Sequence, residues 1–143
     1  MGNWDEFTYI SMEYVPGYDL DQLLRKRGAQ DRYIALLMGR QICSAMNAAH
    51  EEGVIHLDLK PGNMMVNRQG ILKIMDFGLA RSVASHEVSP TAQSGGKIMG
   101  TPRYMAPEQF LNEELDQRTD IYAIGIILYT FCLLYTSDAA DDW

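Results

Sequence analysis

Between Asp31 and Glu52 the chain carries apolar residues at intervals of three and four. They are Ile34, Leu37, Met38, Ile42, Ala45, Met46 and Ala49. This spacing predicts an amphipathic α-helix whose apolar face must be covered by the rest of the chain. Gly53 predicts its end, because glycine readily takes the left-handed conformation that follows a last helical turn. With 143 residues, 47% of them hydrophobic, the chain can build such a core, so we expect one folded domain.

Two further elements are predicted before this helix. The segment "FTYISMEYV", from Phe7 to Val15, is rich in aromatic and β-branched residues and is followed by Pro-Gly, which predicts a strand closed by a turn. Asp19 can then cap a short helix, with Gln22 at the third helical position reaching back as in a capping box. The apolar face of this helix would be Leu20, Leu23 and Leu24, and Gly28 would end it.

After Gly53 the chain reads "VIHLDLKPGNMMV" and then "NRQGILKIMDFG". The runs "MMV" and "ILKIM" on either side of "NRQG" predict a small β-hairpin. Such a hairpin would bring together Asp58, Asn63 and Asp76, whose oxygen atoms are the kind of ligand that Mg²⁺ prefers. Lys60 adds a positive charge nearby, so the set suits phosphoryl transfer. The alternative is that Asp58 and Asn63 only stabilise turns, and for either residue considered alone this is the better interpretation.

Composition excludes several classes of function. The net charge of −7 and the pI near 4.8 argue against a surface for nucleic acid or anionic lipid. Cys43 and Cys132 are too few and too far apart for a disulfide framework or a metal site, which is typical of a cytoplasmic protein. The uncharged run from Ile121 to Ser137 falls just short of the ~20 residues of a membrane span, so we expect a buried helix.

The segment from Ser82 to Lys97 has no hydrophobic period and is rich in small and polar residues. We expect a mobile loop there. Its hydroxyl groups belong to Ser82, Ser85, Ser89, Thr91 and Ser94.

Taken together, the motifs resemble those of the protein kinase family. They are, in chain order, "MEYVPG", "HLDLKPGN", "DFGLA", "GTPRYMAPEQ" and "TDIYAIG". The resemblance covers Tyr9 to about Phe131 and is greatest to the bacterial kinases of the Ser/Thr branch. It implies an α+β fold: a hinge strand and a mostly helical C-lobe with a small β-hairpin. It also implies ATP and Mg²⁺ as cofactors and a protein with a Ser or Thr hydroxyl as the substrate. From the acidic composition and the short apolar run, we expect neither a nucleic-acid partner nor a membrane segment in this fragment.

The resemblance also assigns roles around the reacting phosphate. Asp58 would accept or orient the proton of the substrate hydroxyl, Lys60 would contact the transferred phosphate, and Thr101 would hydrogen-bond toward both. Asn63 and Asp76 would hold Mg²⁺.

Other roles concern the nucleotide and the interior. Glu13 and Val15 would offer main-chain hydrogen bonds to adenine, Met12 would be the gatekeeper and Asp19 would face the ribose, although helix capping is an equally good reading of Asp19. Leu20 and Met65 would form the apolar floor. In the interior, Asp120 would hold the backbone of the His56 loop, and His56 would stack on Phe77.

The sequence departs from the family pattern at Leu57, where most relatives carry an arginine that pairs with a phosphate on the mobile loop. A leucine cannot form that pair, so we expect activity that does not depend on loop phosphorylation through this contact. The alternative reading is a single-base change, since Leu and Arg codons can differ at one position.

Both ends of the chain also depart from the pattern. We expect residues 1–131 to be a partial kinase domain without the N-lobe, since the glycine-rich loop and strand lysine of the family would precede Phe7. Residues 132–143, "CLLYTSDAADDW", resemble a translated sequencing adapter and are expected to be a non-native tail; a native amphipathic tail is the alternative. At family level the expected function is that of a Ser/Thr protein kinase, inactive as this piece alone. The alternative is a pseudokinase or scaffold that binds partners without turnover.

Overall fold

The computed structural model describes residues 2–4, 7–9, 12–27, 31–77, 81–82, 102–111 and 113–133. Its strands are β1 (Gly2–Trp4), β2 (Phe7–Tyr9), β3 (Gly17–Asp19), β4 (Val54–Ile55), β5 (Met64–Asn67), β6 (Leu72–Ile74) and β7 (Arg81–Ser82). Its α-helices are α1 (Leu20–Arg27), α2 (Arg32–Glu51), α3 (Pro107–Leu111) and α4 (Gln117–Leu133). Short 3₁₀ turns cover Pro61–Asn63 and Pro102–Tyr104. The mixture of helices with small antiparallel sheets agrees with the predicted α+β class.

The long amphipathic helix is confirmed as α2. The side chain of Asp31 caps it by accepting a hydrogen bond from the Tyr33 amide at 2.8 Å, and Gly53 follows it with φ of 71°. The predicted buried face was partly wrong, because Ile34 and Leu37 are 37% and 39% exposed. The buried positions are Ala35, Met38, Gly39, Ile42 and Met46.

The buried face of α2 is decided by its packing against α4. A Cβ added at Gly39 would lie 2.8 Å from the Leu128 side chain, so the two helices approach closely at this point. Spacing alone could not select this face, since Ile34 and Leu37 satisfy the same period as the residues that are buried.

Helix α1 begins directly after Asp19, as the predicted cap at Asp19 requires. The Gln22 amide donates to the Asp19 carboxylate at 2.7 Å, and the Gln22 side chain donates to the same carboxylate. The second contact differs from a capping box, in which the Gln22 side chain would accept from the Asp19 backbone. Of its predicted face, Leu20 and Leu24 are buried and Leu23 packs against the core from a half-buried position.

Strands β3, β5 and β6 form an antiparallel sheet in that order, with Asp19 opposite Met65 and Met65 opposite Lys73. The hairpin β5–β6 is therefore confirmed. The strand predicted from Phe7 to Val15 was partly wrong: Phe7–Tyr9 pairs with β1, but 12–16 is not a strand, and pairing resumes at Gly17. Gly17 permits this pairing, because an added Cβ would lie 2.1 Å from the Val66 carbonyl oxygen.

One hydrophobic core joins α1, α2, α4 and the hairpin. Ile42, Met46, Ile127 and Phe131 are among its most buried residues, and burying each such side chain contributes about 1.5–3 kcal/mol.

Helix α4 covers the uncharged run predicted to be a buried helix as far as Leu133. The prediction of burial was partly wrong, because Ile121 and Tyr129 are 58% and 64% exposed while Ile127 and Phe131 are buried. Among the helices in the described ranges, none is long and apolar enough to span a bilayer.

Several predictions fall outside the described residues. They concern Gly28, Thr101, the loop from Ser82 to Lys97 apart from Ser82 in β7, and the tail from residue 134 onward.

Candidate active site

The loop that carries Asp58 follows β4 and is anchored by Asp120, near the start of α4. The Asp120 carboxylate accepts the backbone amides of His56 and Leu57, each at 2.9 Å, and the His50 ring lies 2.8 Å from the same carboxylate. Asp120 is 1% exposed, and a buried carboxylate is stable only when hydrogen-bond donors surround it. The predicted role of Asp120 in holding this loop is confirmed.

The backbone of Leu57 is strained. Its φ of 68° lies in the left-handed region, where a side chain with Cβ costs roughly 1–2 kcal/mol. Two side chains hold the residue in this conformation: Asp120 accepts from its amide, and Gln109 in α3 donates to its carbonyl oxygen at 2.9 Å. Strain of this kind persists only where surrounding contacts fix the conformation.

His56 connects the loop to the segment that follows the hairpin. Its Nδ1 accepts from the Asp58 amide at 3.2 Å and its Nε2 lies 3.1 Å from the Met75 carbonyl oxygen, so the ring carries its hydrogen on Nε2. Its ring contacts Phe77, with centroids 4.6 Å apart and planes inclined by 51°. The predicted contact of His56 with Phe77 is confirmed, but the rings are tilted rather than stacked, and Phe77 is exposed rather than interior.

Asp58, Lys60 and Asn63 form a compact polar group. The Lys60 ammonium lies 2.6 Å from Asp58 Oδ2, and the Asn63 amide nitrogen donates to the Asp58 carbonyl oxygen at 2.9 Å and to Oδ2 at 3.3 Å. These donors fix the Asp58 carboxylate, while its side chain stays 17% exposed. A carboxylate that is both oriented and accessible can receive a proton from a bound hydroxyl group.

Asp76 is brought next to this group by the backbone. The Met75 amide donates to the Asn63 carbonyl oxygen at 2.8 Å, which places the residue after Met75 beside Asn63. Asp76 itself is exposed and has a φ of 59°, a conformation that aspartate tolerates better than most residues. In the described ranges no group of three or more His, Cys, Asp or Glu residues could hold a metal ion. An Asp and an Asn still fit Mg²⁺, which commonly binds few protein ligands together with substrate phosphates.

A small cleft lies where the Asp58 loop meets α4 and the segment that leads into α3. It is lined by Leu57, Asp58, Leu59, Tyr104, Met105, Gln109, Thr119, Asp120 and Ala123. Burial raises the pKa of the Tyr104 hydroxyl, against the opposing effect of the neighbouring Arg103. Asp58 lines this cleft, and its side chain is partly exposed.

The residues predicted to surround the nucleotide lie along the sheet β3–β5–β6. Asp19 and Met65 are direct strand partners, while the Asp19 carboxylate is engaged in capping α1. Glu13 forms an ion pair with Lys73 on β6, with nitrogen–oxygen distances of 2.5 and 2.6 Å. This exposed pair connects the segment before β3 to the hairpin at the surface.

Burial differs among the remaining nucleotide-site candidates. Met12 is exposed, Val15 is buried and Met65 is half-buried. Leu20 is 1% exposed and belongs to the core. The adenine and ribose roles of these residues stay predictions, as do the roles of Asp58, Lys60, Asn63 and Asp76.

His50 and Gln109 contribute to the site although the sequence did not single them out. His50 contacts Asp120, and Gln109 contacts Leu57. Their sequence positions, at the end of a long helix and after "APE", carry no signal of these contacts, which form only when distant segments meet.

The family of the chain is established by its match to a family model. The family model described as "Protein kinase domain" matches residues 3–138. The chain belongs to the protein kinase family. It is similar to the serine/threonine-protein kinase pkn3 of Myxococcus xanthus, with 41% identity over 95% of the chain. It is also similar to the serine/threonine-protein kinase PknB of Mycobacterium tuberculosis, with 37% identity over 85% of the chain. The chain spans 26% of the length of the first relative and 19% of the second.

Proposed function

We propose that this chain is the catalytic-loop part of a Ser/Thr protein kinase, which transfers the γ-phosphate of ATP to a Ser or Thr hydroxyl of a protein. The observation that carries the proposal is the group formed by Asp58, Lys60 and Asn63, in which two donors orient an accessible carboxylate. Support also comes from the similarity to bacterial proteins named as Ser/Thr kinases. In this proposal residues 1–131 are a partial kinase domain, and residues 132–143 are a non-native tail.

The chemistry follows from these positions. The substrate hydroxyl oxygen would form a bond to the γ-phosphorus while the bond to the bridging oxygen of ADP breaks. Asp58 would orient the hydroxyl group and receive its proton, and Lys60 would offset the negative charge of the transferred phosphoryl group. Asn63 and Asp76 would hold Mg²⁺, which would neutralise phosphate charge. Thr101 would donate toward Asp58 and Lys60.

On the nucleotide side, the main chain at Glu13 and Val15 would hydrogen-bond adenine, with Met12 as the gatekeeper. Met65 would contact the ring from below and Leu20 would support it from the core. Asp19 would reach the ribose from the end of β3, next to Met65. We also propose a cytoplasmic location, which agrees with the exposed, free thiol of Cys43.

The test uses the complete open reading frame that contains this chain, with ATP, Mg²⁺ and a serine-rich protein substrate. Asp58→Asn preserves the size of the side chain but cannot receive the proton, so kcat should fall by ~10²–10⁴-fold. Asp116→Asn, which removes an exposed carboxylate paired with Arg118, is the matched control and should retain full activity. ATP binding without any phosphate transfer by the unaltered protein would overturn the proposal in favour of a binding module.

A further inference from the structure

Leu57 is held at both polar groups of its backbone by side chains from distant parts of the chain. Its amide donates to Asp120 at 2.9 Å, and its carbonyl oxygen accepts from the Gln109 amide nitrogen at 2.9 Å. This residue has the strained φ of 68° and directly precedes Asp58. The conformation that sets the position of Asp58 therefore depends on contacts with α3 and α4.

Gln109 is built to transmit a position to the loop. Its side-chain oxygen accepts from the Ala106 amide at 3.0 Å while its nitrogen donates to Leu57, so one amide group bridges two backbones. Helix α3 is in turn attached to α4, because the buried Thr119 hydroxyl donates to the Glu108 carboxylate at 2.9 Å. Gln109 therefore lies on a helix whose position is fixed by its contact with α4.

We infer that Gln109 is a positioning residue for Asp58, acting through the Leu57 carbonyl group and coupling the catalytic loop to the 102–111 segment by an uncharged hydrogen bond. The inference rests on the proposed kinase function. It assigns to this chain a link between the Asp58 loop and the 102–111 segment that needs neither a charge at Leu57 nor a phosphate.

The physical reason is the strain at Leu57. A left-handed leucine relaxes when either of its two anchors is lost, and the relaxation rotates the peptide that connects it to Asp58. Small displacements of a catalytic group are costly, because the reacting atoms must be held within a narrow range of distance and direction. Removing the Gln109 donor should therefore lower kcat more than it lowers stability.

The variants separate this role from a purely structural one. Gln109→Met removes both hydrogen bonds at nearly constant volume, whereas Gln109→Glu keeps the acceptor for Ala106 and replaces the donor to Leu57 with a carboxylate oxygen, which repels the Leu57 carbonyl oxygen. Gln41→Met is the matched control, because Gln41 also bridges two backbone groups: it donates to the Gly70 carbonyl oxygen at 3.0 Å and accepts from the Leu72 amide at 2.9 Å. Gln41 lies on α2 and contacts the hairpin at Gly70 and Leu72 rather than the Asp58 loop.

The measurements use the complete open reading frame. In both Gln109 variants, kcat should fall by about threefold to tenfold, the effect of losing the hydrogen bond to the Leu57 carbonyl oxygen, with KM for ATP unchanged. Exchange of the Leu57 and Asp58 backbone amides should become faster by a similar factor. Gln41→Met should leave kcat and these two amides unchanged, even where it lowers the melting temperature as much as Gln109→Met does.

Each other outcome overturns the inference. Unchanged kcat and unchanged Leu57 exchange in Gln109→Glu would remove the positioning role, and an equal loss of kcat in Gln41→Met would assign the effect to general stability. If Gln109→Met does not fold, the Gln109→Glu variant decides. Amide exchange is read without turnover, so a protein inactive from the start refutes the proposed function while the exchange result still decides whether Gln109 positions the loop.

Discussion

Replacing Asp120 with asparagine should loosen the catalytic loop although the side chain keeps its shape. The carboxylate accepts from the His56 amide, the Leu57 amide and the His50 ring. An asparagine has only one acceptor oxygen, so in either orientation its NH₂ group faces a backbone N–H. A buried donor left without an acceptor costs about 1–3 kcal/mol, a large part of a typical total stability of roughly 5–15 kcal/mol.

The expected result is a fall of about 1–3 kcal/mol in the free energy of unfolding, measured by urea denaturation of the complete open reading frame. The Leu57 or the His56 amide, whichever faces the new NH₂ group, should exchange about tenfold to a hundredfold faster. Asp116→Asn is the control: its carboxylate is exposed and paired with Arg118, and exposed ion pairs contribute little to stability. Equal destabilisation by the two variants, with unaltered exchange at both loop amides, would refute the reasoning.

The other predictions concern packing, charge and regulation. Gly17→Ala should lower the melting temperature strongly, because its Cβ would lie 2.1 Å from a carbonyl oxygen, whereas Gly125→Ala has open space and should raise it slightly; similar shifts for both would contradict this. Hydrogen bonds from Arg118 lower the pKa of Asp116, so the ionised carboxylate stabilises the folded protein at neutral pH. The difference in unfolding free energy between the unaltered protein and Asp116→Asn should therefore disappear as the pH falls through that lowered pKa, and a difference that persists in acid would exclude the pair as its cause. Leu57→Arg should make activity depend on phosphorylation of the loop, and assays before and after phosphatase treatment would test this; equal sensitivity of both proteins would count against it. The 143-residue chain expressed alone should aggregate, since Leu36, Leu111, Ile121 and other large apolar side chains are exposed, and a cooperative, reversible melting transition of a monomer would contradict this.

Local chemistry in the sequence was sufficient to predict several elements. The helix capped by Asp31, the cap at Asp19 and the hairpin β5–β6 depend on neighbouring residues, so spacing and turn chemistry revealed them. The strand predicted from Phe7 to Val15 was partly wrong, because the pairing with the hairpin begins at Gly17. Only glycine fits at this position, since a Cβ would lie 2.1 Å from a carbonyl oxygen of β5. Ile34 was predicted to be buried but is exposed, because it fits the same helical period as the residues that are buried.

For the candidate site, the sequence by itself determined the chemical groups: an aspartate, a lysine and an asparagine in one short loop, and a second aspartate after the hairpin. Only the tertiary structure decided how that loop is held. The contacts of Leu57 with Asp120 and Gln109 join residues that are far apart in the chain, and no local pattern records them. Residue type fixes which reactions are available, but a strained backbone keeps its shape only where distant segments supply its hydrogen bonds.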